Sequence, residues 1–163
     1  MSLSWTERAV SAEDAVSHVL SGMKIFIHGA AATPTPLIDA LAKRDVEHVT
    51  TYHLHLDGPV AIADPALAAR FRPTSLFIGA NLRAAVNEGR ADFMPVFLSD
   101  IPALFTSRRI PIDAALLQLS PPDRHGYCTL GTSADAAVAA SRSARILIAE
   151  INDRMPRTHG NTL

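Results

Sequence analysis

The chemistry-bearing residues of this chain fall at a few places where a hydrophobic run breaks off. Gly29-Ala-Ala-Ala-Thr33 follows the apolar run 23–27 and leads into Pro34 and Pro36. Small residues at a strand-to-helix turn let backbone N–H groups face a carboxylate, a thioester oxygen or a phosphate. They also simply permit a tight turn, and the later glycines or Lys-Ser/Thr pair of the nucleotide-binding loops are missing. His53 and His55 alternate along a β-rich segment and so point to one face, with His28 at the end of another strand. A metal site needs further donors at suitable spacing, and none follows, so hydrogen-bonded wall histidines are expected there. Asp123 and His125 lie in Ser120-Pro-Pro-Asp-Arg-His-Gly126, where a carboxylate can orient an imidazole; an Asx-type turn with His125 on its rim explains the same spacing. Cys128 is near enough for a thiol–histidine pair, although the alternation at 127–130 reads as a small strand that turns Cys128 inward. Glu150 ends the last apolar run, followed by Asn152 and Asp153. A carboxylate there can act as base or nucleophile, or be a structural group held by backbone N–H donors. Arg83, Arg90, Arg108 and Arg109 are scattered over helix ends and read as a solvated face.

The elements that must position these groups follow from two alternating periodicities. Ser11 opens a short helix at 12–20 through a capping box. The spacing then predicts strands at 23–27 and 46–55, a helical stretch at 66–71 and a strand at 75–78. A further helix at 82–88, a strand at 92–96 and a short helix capped by Ser99 come next. The clearest buried strand is 113–119; Ser133 is read as the cap of a helix over 134–140, and 145–149 as the last strand. Strand, short loop, helix, strand is the rhythm of a parallel sheet with right-handed crossovers, and continuous apolar strands are covered on both faces. The expected architecture is an open, mostly parallel, Rossmann-like α/β/α layer forming a single domain over residues 1–163. In such sheets ligands lie beyond the carboxyl ends of the strands. That places a candidate cleft at Gly29, Ala30, Thr33 and Pro34, at Gly79 and Asn81, at Asp123, His125 and Gly126, and at Asn152 and Pro156.

Composition narrows the classes. Of 163 residues, 48% are apolar and 19% charged, below the roughly 25% usual for soluble domains, which excludes disorder. Fifteen basic against sixteen acidic residues leave a net charge of −1, without the basic excess of a nucleic-acid binder. No apolar run approaches the ~20 residues that cross a bilayer, and residues 1–10 lack a signal-peptide core. One cysteine rules out an internal disulfide. A cytoplasmic protein is expected. The scarcity of charge points to a surface covered by something else.

The loops, taken in order, resemble the N-terminal half of the acetyl-CoA hydrolase/transferase family, which includes the 4-hydroxybutyrate CoA-transferases. The matching segments are Val10-Ser-Ala-Glu-Asp-Ala15, Ile27-His-Gly-Ala-Ala-Ala-Thr-Pro34, Phe77-Ile-Gly-Ala-Asn81, Gly89-Arg-Ala-Asp-Phe-Met-Pro-Val96, Leu119-Ser-Pro-Pro-Asp-Arg-His-Gly-Tyr127 and Ile148-Ala-Glu-Ile-Asn-Asp-Arg-Met-Pro-Arg-Thr-His-Gly160. The resemblance implies a two-step transfer of CoA between an acyl-CoA and a small carboxylic acid, or water, through glutamyl intermediates. Coenzyme A is then a substrate; no resident cofactor and no metal are expected. It also places the nucleophilic glutamate and an oxyanion segment in a C-terminal half, so that no residue here inherits the catalytic role, Glu150 included. The cleft residues named above become one wall of a site shared with that half. Partners expected on this basis are acyl-CoA, a carboxylic acid, and either the C-terminal half or a second copy of the chain, with no nucleic acid or membrane. A non-catalytic acyl-CoA-binding or assembly module of the same fold is the alternative; a metal-dependent hydrolase using His28, His53 and His55 is a third reading.

Overall fold

The computed structural model describes residues 4–159; Gly160, the last residue of the C-terminal matching segment, lies outside them. Six parallel strands make one sheet: β1 (Lys24–Ile27), β2 (Val49–His53), β3 (Phe71–Ser75), β4 (Asp92–Phe93), β5 (Ala114–Leu119) and β6 (Ile146–Ile151). Their spatial order is β4-β3-β2-β1-β5-β6. The chain winds outward from β1 to β4, crosses back, and sets β5 on the other side of β1. The reversal between β1 and β5 is the crevice at which open α/β sheets place ligands.

Alternation along the strands divides the core into two layers. Ile25, Ile27, Val49, Ala114, Leu116 and Ile148 face α2 (Ala12–Val16), α3 (Thr35–Lys43) and α4 (Arg83–Asn87). Phe26, Tyr52, Ala115, Leu117 and Leu119 face α5 (Ile101–Thr106) and α6 (Ala137–Ser143). Phe26 meets Phe105 edge-to-face at 5.6 Å between ring centroids, a favoured aromatic geometry. On α3, Leu37, Ile38 and Leu41 are buried, each contributing about 2 kcal/mol of apolar transfer free energy. A short α1 (Trp5–Arg8), closed by a Ser4–Glu7 capping box, precedes α2. The expected doubly covered parallel sheet is therefore present.

Several boundaries differ from expectation. The third strand lies at Phe71–Ser75, not 75–78, and the helical stretch shrinks to a 3-10 turn at Pro65–Leu67. Pro73 disguises this strand because proline lacks a ladder N–H; it is tolerated because two-residue β4 pairs only with Thr74 and Ser75. β2 likewise ends at His53, and β4 stops at Phe93. Ser99 sits in a 3-10 turn before α5 and caps nothing. α6 starts at Ala137 rather than 134, and Asp135 Oδ1 takes the Ala137 N–H at 3.1 Å. Segment 127–130 is not a strand: it folds back over the end of β5, with the Ser120 N–H donated to the Thr129 carbonyl at 3.0 Å.

Candidate functional site

The carboxyl ends of β1, β2 and β3 are tied into one knot. A Cβ on Gly29 would lie 2.3 Å from the His55 carbonyl oxygen, so only glycine lets the two segments approach this closely. The Ala30 N–H donates to that same oxygen at 2.9 Å, with Ala30 in the left-handed region at φ 50°. Thr33 Oγ1 donates to the Ala30 carbonyl at 2.8 Å and accepts the Asp57 N–H at 3.0 Å. Asn81 Nδ2 donates to the carbonyls of Leu56 and Gly58 at 2.8 and 2.9 Å, packed close to Gly79. Within the loop, the N–H groups of Ala32 and Thr33 are also donated to backbone carbonyls. Gly29, Ala30, Thr33, Gly79 and Asn81 are thus brought together at one rim, where Thr33 and Asn81 act as fasteners; Pro34 is buried beneath them at the start of α3.

The crevice itself is organised by a side chain the sequence reading passed over. Gln118 is buried on β5. Its amide nitrogen donates to Glu150 Oε1 at 3.2 Å and approaches the Thr33 carbonyl at 3.5 Å. Its oxygen accepts from Asn152 Nδ2 at 3.2 Å. The lone glutamine in the apolar run Ala114–Leu119 was the available signal, since a polar group buried in a strand needs partners. Glu150 Oε2 is buried without one. Burial pushes the Glu150 carboxyl above its ordinary value, against the pull of the Gln118 amide. Replacing Gln118 by leucine removes the partner of both neighbours. Urea denaturation should show Q118L destabilised by about 2 kcal/mol.

His28, wholly buried, bridges β1 to the opposite layer. Its Nδ1 accepts the Gln118 N–H at 3.3 Å, which leaves the proton on Nε2 for the Ser133 carbonyl oxygen at 2.6 Å. Ser133, expected as a helix cap, serves instead through its backbone. Desolvation holds the imidazole below its ordinary value, partly offset by the Ser133 carbonyl. His53 donates to or accepts from Ser75 Oγ through Nε2 at 2.8 Å, and its Nδ1 is buried without a partner. His55 lies beyond β2 and meets Phe77 edge-on at 6.0 Å. Among the described residues no three His, Cys, Asp or Glu side chains converge as metal ligands.

The loop after β5 is built on Asp123. Its Oδ1 accepts the N–H groups of His125 and Tyr127 at 2.8 and 2.9 Å, and its Oδ2 meets Arg157 at 3.1 Å. Those backbone donors, Tyr127 first, hold the Asp123 carboxyl below its ordinary value. Arg157 also donates to the carbonyls of Pro121 and Tyr127 at 3.1 Å each, pulling the C-terminal segment carrying Pro156 onto this loop. Sequence spacing offered no sign of Arg157, which lies 34 residues from Asp123. His125 stays exposed on the rim beside Gly126, which turns at φ 88°. Burial raises the half-buried Cys128 thiol, the opposite of the depression an activated thiolate needs. The serine–histidine pair among the described residues, His53 with Ser75, is sealed in the core with both residues fully buried; the loops themselves are scaffold.

The comparisons agree with this geometry. The profile of the acetyl-CoA hydrolase/transferase N-terminal domain matches residues 2–162. The chain belongs to the acetyl-CoA hydrolase/transferase family. It is 40% identical over 157 residues to a succinyl-CoA:acetate/propanoyl-CoA:succinate CoA transferase of Fasciola hepatica, covering 94% of this chain and 32% of that protein. It is 38% identical to the 4-hydroxybutyrate coenzyme A transferase of Clostridium kluyveri, covering 97% of this chain and 37% of that enzyme. Among solved structures, RipA from Yersinia pestis superposes with a TM-score of 0.85 at 32% identity, over 93% of this chain and 38% of its own. A 4-hydroxybutyrate CoA-transferase from Porphyromonas gingivalis gives 0.79 at 27% identity, over 97% of this chain and 36% of its own. This family chain therefore spans about a third of the length of the relatives it matches. No helix among its described residues is long and apolar enough to cross a membrane.

Proposed function

We propose that this chain is the N-terminal half of a CoA-transferase or acyl-CoA hydrolase, moving CoA from an acyl-CoA thioester to a carboxylic acid or water. The observation that carries the reading is the match of residues 2–162 to the family's N-terminal domain, in relatives about three times as long. In this reading a glutamate on a C-terminal half attacks the thioester. Attack breaks the C–S bond, forming an acyl-glutamyl anhydride and expelling CoA thiolate; the thiolate then attacks the glutamyl carbonyl, expelling the donor carboxylate and leaving a glutamyl-CoA thioester. An acceptor carboxylate reverses the two steps and leaves with the CoA as the glutamate is regenerated, or water hydrolyses the thioester to free CoA. Covalent relay of this kind conserves the thioester's free energy through two easier steps. Coenzyme A enters as a substrate, not as a resident cofactor.

This half supplies a wall. The rim Gly29, Ala30, Thr33, Pro34, Gly79 and Asn81, the loop Asp123, His125 and Gly126, and the segment Asn152 and Pro156 face the cleft where the halves meet. Apolar side chains near the sheet's carboxyl end support such a meeting: Phe97 and Leu98 are 79% and 63% exposed, and Phe77 and Tyr127 are exposed as well. Large exposed apolar patches mark association surfaces.

Thioester consumption tests the reading. The chain alone should release no CoA from acetyl-CoA, whereas joining it to a C-terminal half of a family member should restore acid-dependent release. Turnover by the chain alone, dependent on Glu150 or Cys128, would overturn it. Absence of transfer after joining, with acyl-CoA still bound, would favour a non-catalytic binding module.

A further inference from the structure

On one side the sheet ends in β6, and the outer flank of this strand is bare. β5 and β6 run parallel, and the N–H groups of Ile146 and Asn152 are donated inward, to the carbonyls of Asp113 and Leu119 at 3.0 and 2.9 Å. Alternation then turns the backbone groups of Leu147, Ala149 and Ile151 outward. No strand or loop among the described residues takes them up. The N-terminal arm does not close this flank: it makes no backbone hydrogen bond to β6 and stands off across a groove of ≈ 1130 Å³ lined by the whole of Ile146–Ile151. Native edges are commonly guarded by lysine, proline, an outward charge or a bulge. β6 has none of these: it reads Ile-Leu-Ile-Ala-Glu-Ile in unbroken register with β5, and its one charge, Glu150, turns in to the Gln118 amide at 3.2 Å. Leu147 is 51% exposed, and Ala149 is exposed as well.

This edge matches itself. Turned about a two-fold axis through Ala149, β6 meets a second β6 antiparallel. Ala149 then exchanges both backbone bonds with its own copy, and Leu147 does the same with the partner subunit's Ile151, Cα atoms about 5.5 Å apart. Their side chains are apolar neighbours on one face, a stabilising cross-strand pair, and the small Ala149 leaves room at the axis. On the other face Ile148 lies opposite the partner's Glu150. Beyond the strand ends the same register sets Arg145 against the partner's Asp153. Both are exposed, and neither has an ion-pair partner among the described residues. Moving the axis to Leu147 or Ile151 shortens the ladder and separates that charge pair. We propose that β6 is a homodimerisation edge, which joins two copies of this chain into one continuous sheet by antiparallel pairing centred on Ala149. The proposal goes beyond the CoA-transfer reading and does not depend on it: the exposed Phe97 and Leu98 follow β4, at the opposite edge of the sheet.

Sedimentation velocity of the 163-residue chain, loaded from roughly 1 to roughly 200 μM to span a small transient interface, tests it. A reversible monomer–dimer equilibrium is expected. A149P removes the outward N–H at the axis in each copy and spares the ladder to β5, because proline is accepted where the N–H faces solvent. It should raise the dimer Kd at least about tenfold with an unchanged circular dichroism spectrum. R145D and D153R each set like charges against one another and should weaken the dimer about threefold or more at low salt. The double variant R145D/D153R restores opposite charges and should restore association. Monomer at every loading, an A149P dimer as tight as the natural one, or a double variant no better than the single ones would each overturn the edge. A dimer lost in F97S but kept in A149P would place the contact at the opposite edge and overturn it too. The two readings fail separately: absence of CoA transfer in the joined enzyme leaves the dimer edge standing, and a monomeric chain leaves the transferase standing.

Discussion

Acidification from neutrality toward about pH 3 is expected to remove on the order of 5 kcal/mol of folding free energy through His53 alone. This imidazole is wholly buried, and desolvation, with His55 as a second cause, lowers its pKa from 6.5 to about 3. The folded state therefore keeps it neutral where the unfolded chain protonates it. The unfolded state binds more protons throughout that window, so stability is complete above the unfolded value and is lost as pH falls toward the folded one. His28 is depressed in the same direction, so the share of His53 must be isolated by substitution. Urea midpoints measured as a function of pH should fall steeply for the natural chain and less steeply for H53Q, which keeps a polar group opposite Ser75 while removing the titration. Parallel profiles for the two proteins would show that His53 is not the acid-sensitive group.

Gly29→Ala is the second large effect. Its Cβ would sit 2.3 Å from the His55 carbonyl oxygen, a backbone atom that cannot rotate away. That oxygen also accepts the Ala30 N–H, so moving it breaks the link that joins the β1 loop to the chain beyond β2. Overpacking of this kind costs about 1–3 kcal/mol, and the lost hydrogen bond adds about 1 kcal/mol. For a chain of this size the midpoint of thermal unfolding should drop by roughly 5–15 °C. Gly58→Ala is the contrast: nothing lies within 4 Å of its added Cβ, and its cost is confined to the left-handed backbone. Gly29→Ala falling no further than Gly58→Ala would mean the rim is not held as described.

The sheet was legible because parallel strands covered on both faces must be apolar throughout, which marks Ala114–Leu119; the last strand, read as 145–149, runs two residues further, to Ile151, past the Glu150 that ends the apolar run. β3 was displaced because Arg72 and Pro73 break that signature in a strand with only a stub on one side. Gly29 and Gly79 mark the rim loops in the sequence, and at Gly29 the contact with the His55 backbone demands glycine. Their internal wiring was not legible, since the Thr33–Asp57 and Asn81–Leu56 bonds depend on how three strands end side by side. Gln118 and Arg157 escaped for the same reason: each acts across more than 30 residues of sequence. The Asx-turn reading of Asp123 was recoverable because all of its backbone donors lie within four residues.

Mass spectrometry of the joined enzyme, incubated with acetyl-CoA and digested, is the most direct test of the claim that this polypeptide shapes a cleft whose nucleophile lies elsewhere. A CoA adduct is expected on a glutamate of the C-terminal polypeptide, with every peptide of residues 1–163 unmodified. A CoA thioester on Glu150, or any covalent acyl or CoA group within residues 1–163, would contradict it.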